Sequence, residues 1–324
     1  MDLLQFTRKG IYCPPADVFL DPSAKVDRAL ISHAHSDHAR GGSLAYLAHT
    51  DSEAVLRLRL GKNLPVETVA YGKVVDINGV RFSFHPAGHV IGSAQIRVEY
   101  KGEVWVYTGD YKLEDDGLTV PFEPVKCHTL ITESTFGMPV YQWQAQAKVM
   151  QEMNEWWRKN AAAGICTVVH GYSLGKSQRM LSLFDHSIGP VYCHEAIEST
   201  NAVFRAHGIA LPNALLLHEH VSKEALRSAL VITPFISPES PMMQLLEPYS
   251  LGIASGWMGL GGAKRMGAAD RGFVLSDHAD FPSLNTAVKE SAAERIIVTH
   301  GFKEVYARWL CTQGYEAEAA QISM

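Results

Sequence analysis

The first 140 residues alternate short apolar runs with polar turns, a pattern typical of a sheet-rich segment. The runs that predict strands lie at residues 18–20, 29–31, 80–84, 94–100, 104–107 and 129–133. Asp21-Pro22 marks a turn between the first two strands, and residues 52–60 have the spacing of a helix. Several of the strands end in a histidine or an acid, so we expect one functional edge of a sheet.

From residue 141 the pattern changes to strands that alternate with helices. Helices are predicted at residues 144–158, 175–185 and 196–206, and strands at 165–169, 191–193, 229–233 and 251–254. This alternation predicts a small α/β domain. Strand-like runs that end in polar residues return at 271–278 and 294–300. The sequence therefore predicts a first domain split into residues 1–140 and 265–324, with residues 141–264 inserted as a second domain.

Four metal-capable side chains follow the second predicted strand: His33, His35, Asp37 and His38. In an extended chain, residues two apart project to the same side, so His33 and His35 can converge on one cation while Asp37 and His38 diverge towards another. The spacing therefore indicates two metal ions. The alternative is a solvated polar loop without metal, although three histidines this close together would repel one another if protonated.

Three further candidate ligands, His89, Asp110 and His300, lie near the ends of other apolar runs. Each has an ordinary explanation when taken alone. His89 is a loop histidine of a kind that is often on the surface, Asp110 follows a glycine as turn residues do, and His300 could cap a helix or lie in the core. Their shared placement at strand ends favours a common site.

Together these residues supply a dinuclear site, which needs roughly six to eight ligands and a bridging carboxylate. His33, His35 and His89 would bind the first metal ion, Asp37, His38 and His300 the second, and Asp110 would bridge them. A hydroxide between the metals would be the nucleophile, because bound dications lower the pKa of water from about 15.7 to near 7. That chemistry suits phosphodiester hydrolysis. Zinc is the first choice, and manganese or iron also suit mixed histidine and carboxylate ligands.

Composition narrows the functional class only modestly. The chain has 324 residues, 47% hydrophobic residues and a formal net charge of −5, which does not resemble a protein that coats nucleic acid nonspecifically. Two bound dications would reverse that sign locally. The five cysteines include no CxxC pair, which argues against a disulfide framework and a thiolate zinc site. Because no leader or membrane-length apolar run is visible, we expect a cytoplasmic protein without a membrane partner.

The ligand motif resembles that of the metallo-β-lactamase superfamily. Within it, residues 133–137, 276–280 and 298–301 resemble signatures of the β-CASP nucleases, and residues 172–178 resemble the strand-to-helix turn of their inserted domain. The compact insertion and residues 255–258 are most similar to the bacterial DNA-ligase-associated exonuclease branch. The resemblance implies an α/β fold with a four-layer αβ/βα core, an inserted small α/β β-CASP-like cap domain and an active site in the groove between them.

The resemblance also implies roles for individual residues. Asp37, Glu133 and His278 are the catalytic candidates, with His278 donating a proton to the leaving oxygen and Glu133 orienting it. Glu133 could otherwise be a helix-capping acid. The candidate phosphate or substrate contacts are Ser173, Gly175, Lys176, Ser177, Ser255 and Ser276. An ordinary capped helix explains the segment around Lys176 equally well.

By resemblance, the expected function is a metal-dependent DNA exonuclease in repair. Its partners would be a single-stranded or duplex DNA end, an ATP-dependent DNA ligase and a helicase, with digestion from a 5′ phosphate end. The main alternative is an RNA-processing nuclease, because His300 is retained as in the RNA-processing members. A small-molecule hydrolase and a non-catalytic partner subunit are the remaining alternatives. The former leaves Glu133 and His278 without a role, and the latter conflicts with a complete ligand set.

Overall fold

The computed structural model describes residues 2–260, 267 and 269–322. The chain forms two compact units, one of Met1–Gln142 with His278–Met324 and one of Trp143–Asp277. Strands and helices occur in both, so the chain is α/β, as the sequence predicts. The second unit extends to Asp277, beyond the predicted boundary between residues 264 and 265, which itself lies outside the described residues. The segment Arg271–Phe273, predicted to belong to the first domain, instead pairs with the strand Tyr249–Ala254 in the sheet of the second unit.

The strands, in chain order, are β1 Gln5–Thr7, β2 Gly10–Cys13, β3 Val18–Leu20, β4 Arg28–Ile31, β5 Ala45–His49, β6 Val66–Val69, β7 Val74–Ile77, β8 Val80–Pro86, β9 Ala94–Tyr100, β10 Glu103–Tyr107, β11 Thr129–Glu133, β12 Cys166–His170, β13 Val191–Cys193, β14 Leu215–Leu216, β15 Leu230–Thr233, β16 Tyr249–Ala254, β17 Arg271–Phe273, β18 Arg295–Thr299 and β19 Glu316–Ala319. The helices are α1 Glu53–Leu60, α2 Gln146–Ala162, α3 Lys176–Leu183, α4 Glu195–Ala206, α5 Lys223–Leu226, α6 Pro241–Leu245, α7 Phe281–Ser291 and α8 Lys303–Thr312.

The first unit contains two sheets that share a hydrophobic core. The described strands of one sheet follow chain order from β1 to β6, and those of the other have the order β19-β18-β11-β10-β9-β8-β7. Leu20 and Leu30 of the first sheet belong to the same buried cluster as Phe82, Ile96 and Trp105 of the second. Burial of each such side chain contributes about 1.5–3 kcal/mol to folding.

Helices cover the other face of the second sheet. Side chains alternate between the two faces of a strand, so Trp105 packs in the core between the sheets while its neighbour Val106 packs with the helices. Leu284 of α7 and Leu310 of α8 are fully buried in that second cluster. The sheet is therefore covered on both faces, and the predicted ligands His89, Asp110 and His300 lie beyond its strand ends.

The second unit has a parallel sheet with the described strand order β14-β13-β15-β12-β16-β17. All five residues of β12 are buried, as expected for a central strand of a parallel sheet. Met153 and Trp157 of α2 pack with Val169 and Ile232 on one face of this sheet. Because all described strand pairs are parallel, their carboxyl ends meet at one edge, which is where α/β sheets hold ligands.

No described helix combines the length and the apolar character needed to cross a lipid bilayer.

The turn before His89 depends on a glycine. Gly88 has a φ of +70°, and a Cβ at this position would lie 2.2 Å from the backbone oxygen of Lys112. The Lys112 backbone is itself held, because its N–H donates to the Ala87 oxygen at 3.0 Å. A side chain at position 88 therefore requires the backbone to move.

We expect Gly88→Ala to lower the free energy of unfolding by roughly 3 kcal/mol or more, because the new Cβ overlaps backbone atoms. Gly102→Ala is the matched control, with a φ of +85° and nothing within 4 Å of an added Cβ. This substitution should lower the free energy of unfolding by only about 1 kcal/mol, the cost of placing a residue with a side chain in a left-handed backbone conformation. Denaturant unfolding measures both losses, and equal losses would contradict the importance of the Lys112 contact.

Candidate metal centre

The predicted ligands lie on loops that follow strands of the first unit. β4 ends at Ile31, immediately before the segment that contains His33 to His38. His89 lies in the loop between β8 and β9, Asp110 follows β10, and His300 follows β18. The two sheets thus deliver residues that are distant in sequence to one region.

Three histidines of the first predicted set converge on one position. His33 Nε2 and His89 Nε2 lie 3.0 Å and 3.1 Å from His35 Nδ1. Nitrogen ligands placed tetrahedrally about 2.1 Å from a cation are about 3.4 Å apart. The nitrogens therefore surround a space close to that of one divalent cation, and with Asp110 they form a group of ligand atoms within 4.8 Å of one another. This donor set fits a metal ion.

Asp110 faces donors of both predicted sets through one carboxylate oxygen. Its Oδ2 lies 3.6 Å from His33 Nε2 and 3.7 Å from His89 Nε2, both of the first set. The same oxygen lies 3.4 Å from Nε2 of His38, which belongs to the second. This is the position that a bridging carboxylate requires.

The second predicted set is more open. His38 Nε2 lies 3.8 Å from the Asp37 carboxylate, and the rings of His38 and His300 have centroids 5.3 Å apart. Among the described residues, no group of three donors within 4.8 Å includes Asp37 or His300. The three side chains line a cavity of about 250 Å³. Since the Asp37 side chain is 70% exposed, this position is less closely formed than the first.

Asp21 is the central residue that the sequence analysis missed, because it was interpreted only as part of a turn. Its Oδ2 accepts hydrogen bonds from Ser32 Oγ at 2.5 Å and Tyr107 Oη at 2.9 Å, and lies 2.7 Å from His38 Nδ1. Like the predicted ligands, Asp21 directly follows an apolar strand, β3. The strand-end rule that selected the other ligands would have selected it too.

These contacts determine which nitrogen of His33 and of His38 can bind a cation. The Ser32 hydroxyl donates to Asp21, so at 3.0 Å it accepts from Nδ1 of His33. His38 also directs its Nδ1 towards Asp21. In both rings Nε2 is therefore left facing the cluster, the arrangement by which outer carboxylates orient histidine ligands.

His300 is oriented by the same kind of relay. The Thr299 hydroxyl donates to the Thr132 oxygen at 3.1 Å and so accepts from His300 Nδ1 at 3.1 Å. His300 itself has a φ of +51°, an unusual value for a residue with a side chain. Its carbonyl oxygen accepts a hydrogen bond from Ser134 Oγ at 2.5 Å, which holds that backbone conformation.

Burial and neighbouring charges shift the pKa values of the site residues in different directions. Burial lowers the pKa of His33 well below its ordinary value, and His38 adds to this effect. Burial would also lower the pKa of His38, but Asp110 and Asp21 outweigh it and raise that pKa well above the ordinary value. Burial opposes ionisation of Asp110, yet His38 and His278 hold its pKa well below the usual range. A cation that binds His38 must therefore displace a proton.

Glu133 and His278 form a hydrogen-bonded pair beside this cluster. His278 Nδ1 lies 3.0 Å from both Glu133 oxygens, and its ring centroid lies 4.7 Å from that of His89. The buried Glu133 also accepts the backbone N–H groups of Tyr111 at 2.9 Å and Thr135 at 3.3 Å. Glu133 ends strand β11 rather than capping a described helix, so the alternative of a helix-capping acid does not describe it.

The candidate phosphate contacts lie in the second unit, around the start of α3. The Gly175 N–H donates to Gln178 Oε1 at 2.7 Å, and both the N–H and the hydroxyl of Ser177 donate to the Tyr172 oxygen, at 3.2 Å and 2.6 Å. The N–H groups of Gly175 and Ser177 therefore both have acceptors within the protein. Their bonds are those of the alternative, an ordinary capped helix, because the Gln178 side chain supplies the cap.

A buried ion cluster follows in the same helix. Lys176 Nζ and Arg179 Nη1 each lie 3.0 Å from an oxygen of Asp277, and Arg179 also donates to the Ser276 oxygen at 2.7 Å. Each of the four residues is at most 4% exposed. Two cations thus share one carboxylate. Sequence analysis did not select Arg179 as a site residue, because a basic residue in a helix is usually on the surface.

The remaining candidates are three serines beyond strands β12, β16 and β17, at the carboxyl edge of the parallel sheet. The Ser173 oxygen accepts from Gln178 Nε2 at 3.1 Å. Ser255 Oγ accepts the backbone N–H of Trp257 at 3.3 Å, and Ser276 is buried. The structure thus places all three at the edge where a ligand would be expected, and their roles remain predictions.

Comparison with known proteins gives relatives for nearly the whole chain. A protein named "Probable DNA ligase" from Opitutus terrae is 31% identical over 313 residues, which are 96% of this chain and 30% of that protein. Cleavage and polyadenylation specificity factor 73 of Drosophila melanogaster is 25% identical over 60% of this chain and 31% of its own length. Endoribonuclease YSH1 of Saccharomyces cerevisiae is 31% identical over 37% of this chain and 15% of its own length. This chain therefore spans less than a third of the length of each of these relatives.

No protein-family model matches the sequence. Among solved structures, a protein of unknown function from Enterococcus faecalis has a TM-score of 0.59 over 84% of this chain and 74% of its own, with 13% identity. That likeness concerns the fold alone. Taken with the ligand motif and the curated relatives, the comparisons identify this chain as a β-CASP-type member of the metallo-β-lactamase superfamily.

Proposed function

We propose that the protein is a metal-dependent phosphodiesterase that acts on nucleic acid. The observation that carries the proposal is the convergence of His33, His35, His89 and Asp110 next to the Glu133–His278 pair, all within the first unit. A cation-binding group beside a positioned proton donor suits hydrolysis of a phosphate diester.

We assign two divalent cations to this donor set, with zinc as the first choice. His33, His35, His89 and Asp110 would hold the first, and Asp37, His38, His300 and Asp110 the second. When bound, the cations would supply an activated water and neutralise phosphate charge. The nitrogen-rich donor set favours zinc over magnesium or calcium, which prefer oxygen ligands.

Glu133 and His278 would together deliver a proton to the leaving group. Glu133 is buried and engages His278 Nδ1, so Nε2 is the ring nitrogen that would donate a proton to the leaving oxygen. Hydrogen bonds from the backbone N–H groups of Tyr111 and Thr135 hold the Glu133 carboxylate in place while His278 donates its proton. Glu133 is in this scheme a positioning residue and His278 the general acid.

We favour DNA as the substrate, with removal of nucleotides from an end during repair. The Opitutus terrae relative is named a DNA ligase and aligns with 96% of this chain, which supports a role beside an ATP-dependent ligase, and by extension a helicase. The competing proposal is RNA, supported by the endoribonuclease name of the yeast relative and by the presence of His300.

The fold assignment that accompanies this proposal is a four-layer αβ/βα core with the second unit as an inserted β-CASP-like cap domain. Two observations support it. The two sheets of the first unit share one core, and α7 and α8 cover the outer face of the second sheet. The parallel sheet of the second unit lies wholly between the two sequence segments of the first.

The function is tested by incubating the protein and zinc with end-labelled DNA and RNA strands of matched sequence. We expect nucleotides to be released from DNA faster than from RNA, with loss of activity on adding a chelator and in His35→Ala. His220→Ala, which changes an exposed histidine, should behave like the wild type. Faster release from RNA would favour the second proposal, and no metal-dependent release from either strand would exclude both.

Asp21→Asn should weaken zinc binding about 10- to 100-fold, although Asp21 is not a predicted ligand. The amide keeps the size of the side chain but cannot accept from Ser32, Tyr107 and His38 as the carboxylate does. Titration against a competing chelator measures the affinity. An unchanged zinc affinity in a variant that is as stable as the wild type would contradict the orienting role.

Glu133→Gln and His278→Ala should each lower kcat by about 10²- to 10⁴-fold while leaving zinc content unchanged, since neither residue is assigned as a ligand. Substrates with a better leaving group need less protonation, so a nitrophenyl ester should restore much of the lost rate. An equal rate loss for both kinds of substrate would show that the pair does not act on the leaving oxygen, and loss of zinc in either variant would show that the residue helps to hold the metal.

A further inference from the structure

The carboxyl edge of the sheet in the second unit carries an unusual pair of aromatic side chains. Tyr172 is 61% exposed and Phe235 is 56% exposed. Of the large aromatic side chains in the described part of the chain, these are the only ones that are mainly exposed. Aromatic side chains normally bury much of their surface, so two exposed rings together indicate a contact surface.

The fold places these two rings side by side. Tyr172 lies two residues beyond β12 and Phe235 two residues beyond β15, and these strands are parallel neighbours. Their ring centroids are 6.3 Å apart, with an interplanar angle of 77°. The position is therefore fixed by the sheet rather than by a long loop.

Polar and charged groups adjoin the pair. Lys176 Nζ lies 5.3 Å from the centroid of the Tyr172 ring, within the range of a cation–π contact. His170 ends β12 next to Phe235, with ring centroids 5.6 Å apart. It is 4% exposed, and its Nε2 has no hydrogen-bond partner among the described residues. Burial lowers the pKa of His170 to about 4, so its ring is neutral near pH 7.

We propose that Tyr172 and Phe235 form a stacking surface for the bases of single-stranded nucleic acid. The inference rests on the proposed function, because it assumes a nucleic-acid substrate, and it adds a strand preference. Base faces stack on aromatic side chains whatever the sequence, whereas bases within a duplex already stack on one another. The Lys176 ammonium beside the Tyr172 ring places a cation next to this pair, which suits a strand that also carries phosphates.

A protein partner fits this surface less well. Protein interfaces normally need a larger contiguous apolar area with a polar rim. Here the two rings adjoin a neutral histidine and buried cations that share one carboxylate. Separate flat rings with positive charge nearby match bases linked by phosphates.

The test compares binding of a labelled thymidine oligonucleotide with that of an oligonucleotide of the same length made of abasic sites. A chelator prevents cleavage. The wild type should bind the thymidine strand more tightly, and Phe235→Ala and Tyr172→Ala should each weaken that binding about tenfold with little effect on the abasic strand. Phe235→Trp keeps a ring and should retain affinity. Leu216→Ala, at another exposed apolar position of the same sheet, is the matched control.

The result that would overturn the proposal is equal binding of both oligonucleotides by the wild type, or an unchanged base dependence in Phe235→Ala. If the surface instead docks a protein, the wild type should bind the two oligonucleotides equally. Binding of duplex DNA should be unchanged by Phe235→Ala and by Tyr172→Ala. Hydrolysis of a small diester without a base, bis(4-nitrophenyl) phosphate, is measured separately with zinc. Base-dependent binding without any hydrolysis would refute the proposed function alone, whereas hydrolysis with base-independent binding would refute this surface alone.

Discussion

The hydrogen bonds of Asp21 are the constraint on which the candidate centre depends. A histidine binds a cation only through a nitrogen without a proton, and either ring nitrogen can carry that proton. One carboxylate oxygen engages His38 directly and His33 through Ser32, which directs Nε2 of both rings towards Asp110. The donors are thus oriented by the protein before any cation arrives. The bond from the buried Tyr107 fixes that carboxylate in turn.

The sequence predicts the strands that carry the site more reliably than the bonds around it. Strands 18–20 and 129–133 coincide with β3 and β11, because buried apolar runs between turns have few other structures available. The hairpin of β1 and β2 was not predicted, since its first strand is only half-buried and lacks an apolar run. Asp21 was missed for a different reason: its role depends on the side chains of other strands, which local pattern does not contain.

In the second unit, too, the sequence predicts the local elements but not the contacts of the candidate residues. The sequence identifies Lys176 and the glycine before it as candidates for phosphate binding, and the pattern correctly predicts a strand, a turn and a helix there. The sequence pattern cannot reveal that the Gln178 side chain accepts a hydrogen bond from the Gly175 N–H. Nor can it reveal that Lys176 is buried against Asp277, a residue about a hundred positions later. Phe235 drew no attention because a single phenylalanine is normally a core residue.

The parallel pairing of β11 with β18 has a consequence for how the chain holds together. It joins Thr129–Glu133 to Arg295–Thr299, so the ends of the intervening segment are anchored in one sheet. The ladder between these strands and the core of the first unit offset the entropy of closing that long loop. A cut in the backbone between residues 143 and 277 would therefore leave two fragments that remain associated through the ladder and the buried side chains around it. The candidate ligands are therefore brought together by the sheets of the first unit and not by the chain that runs through the second unit.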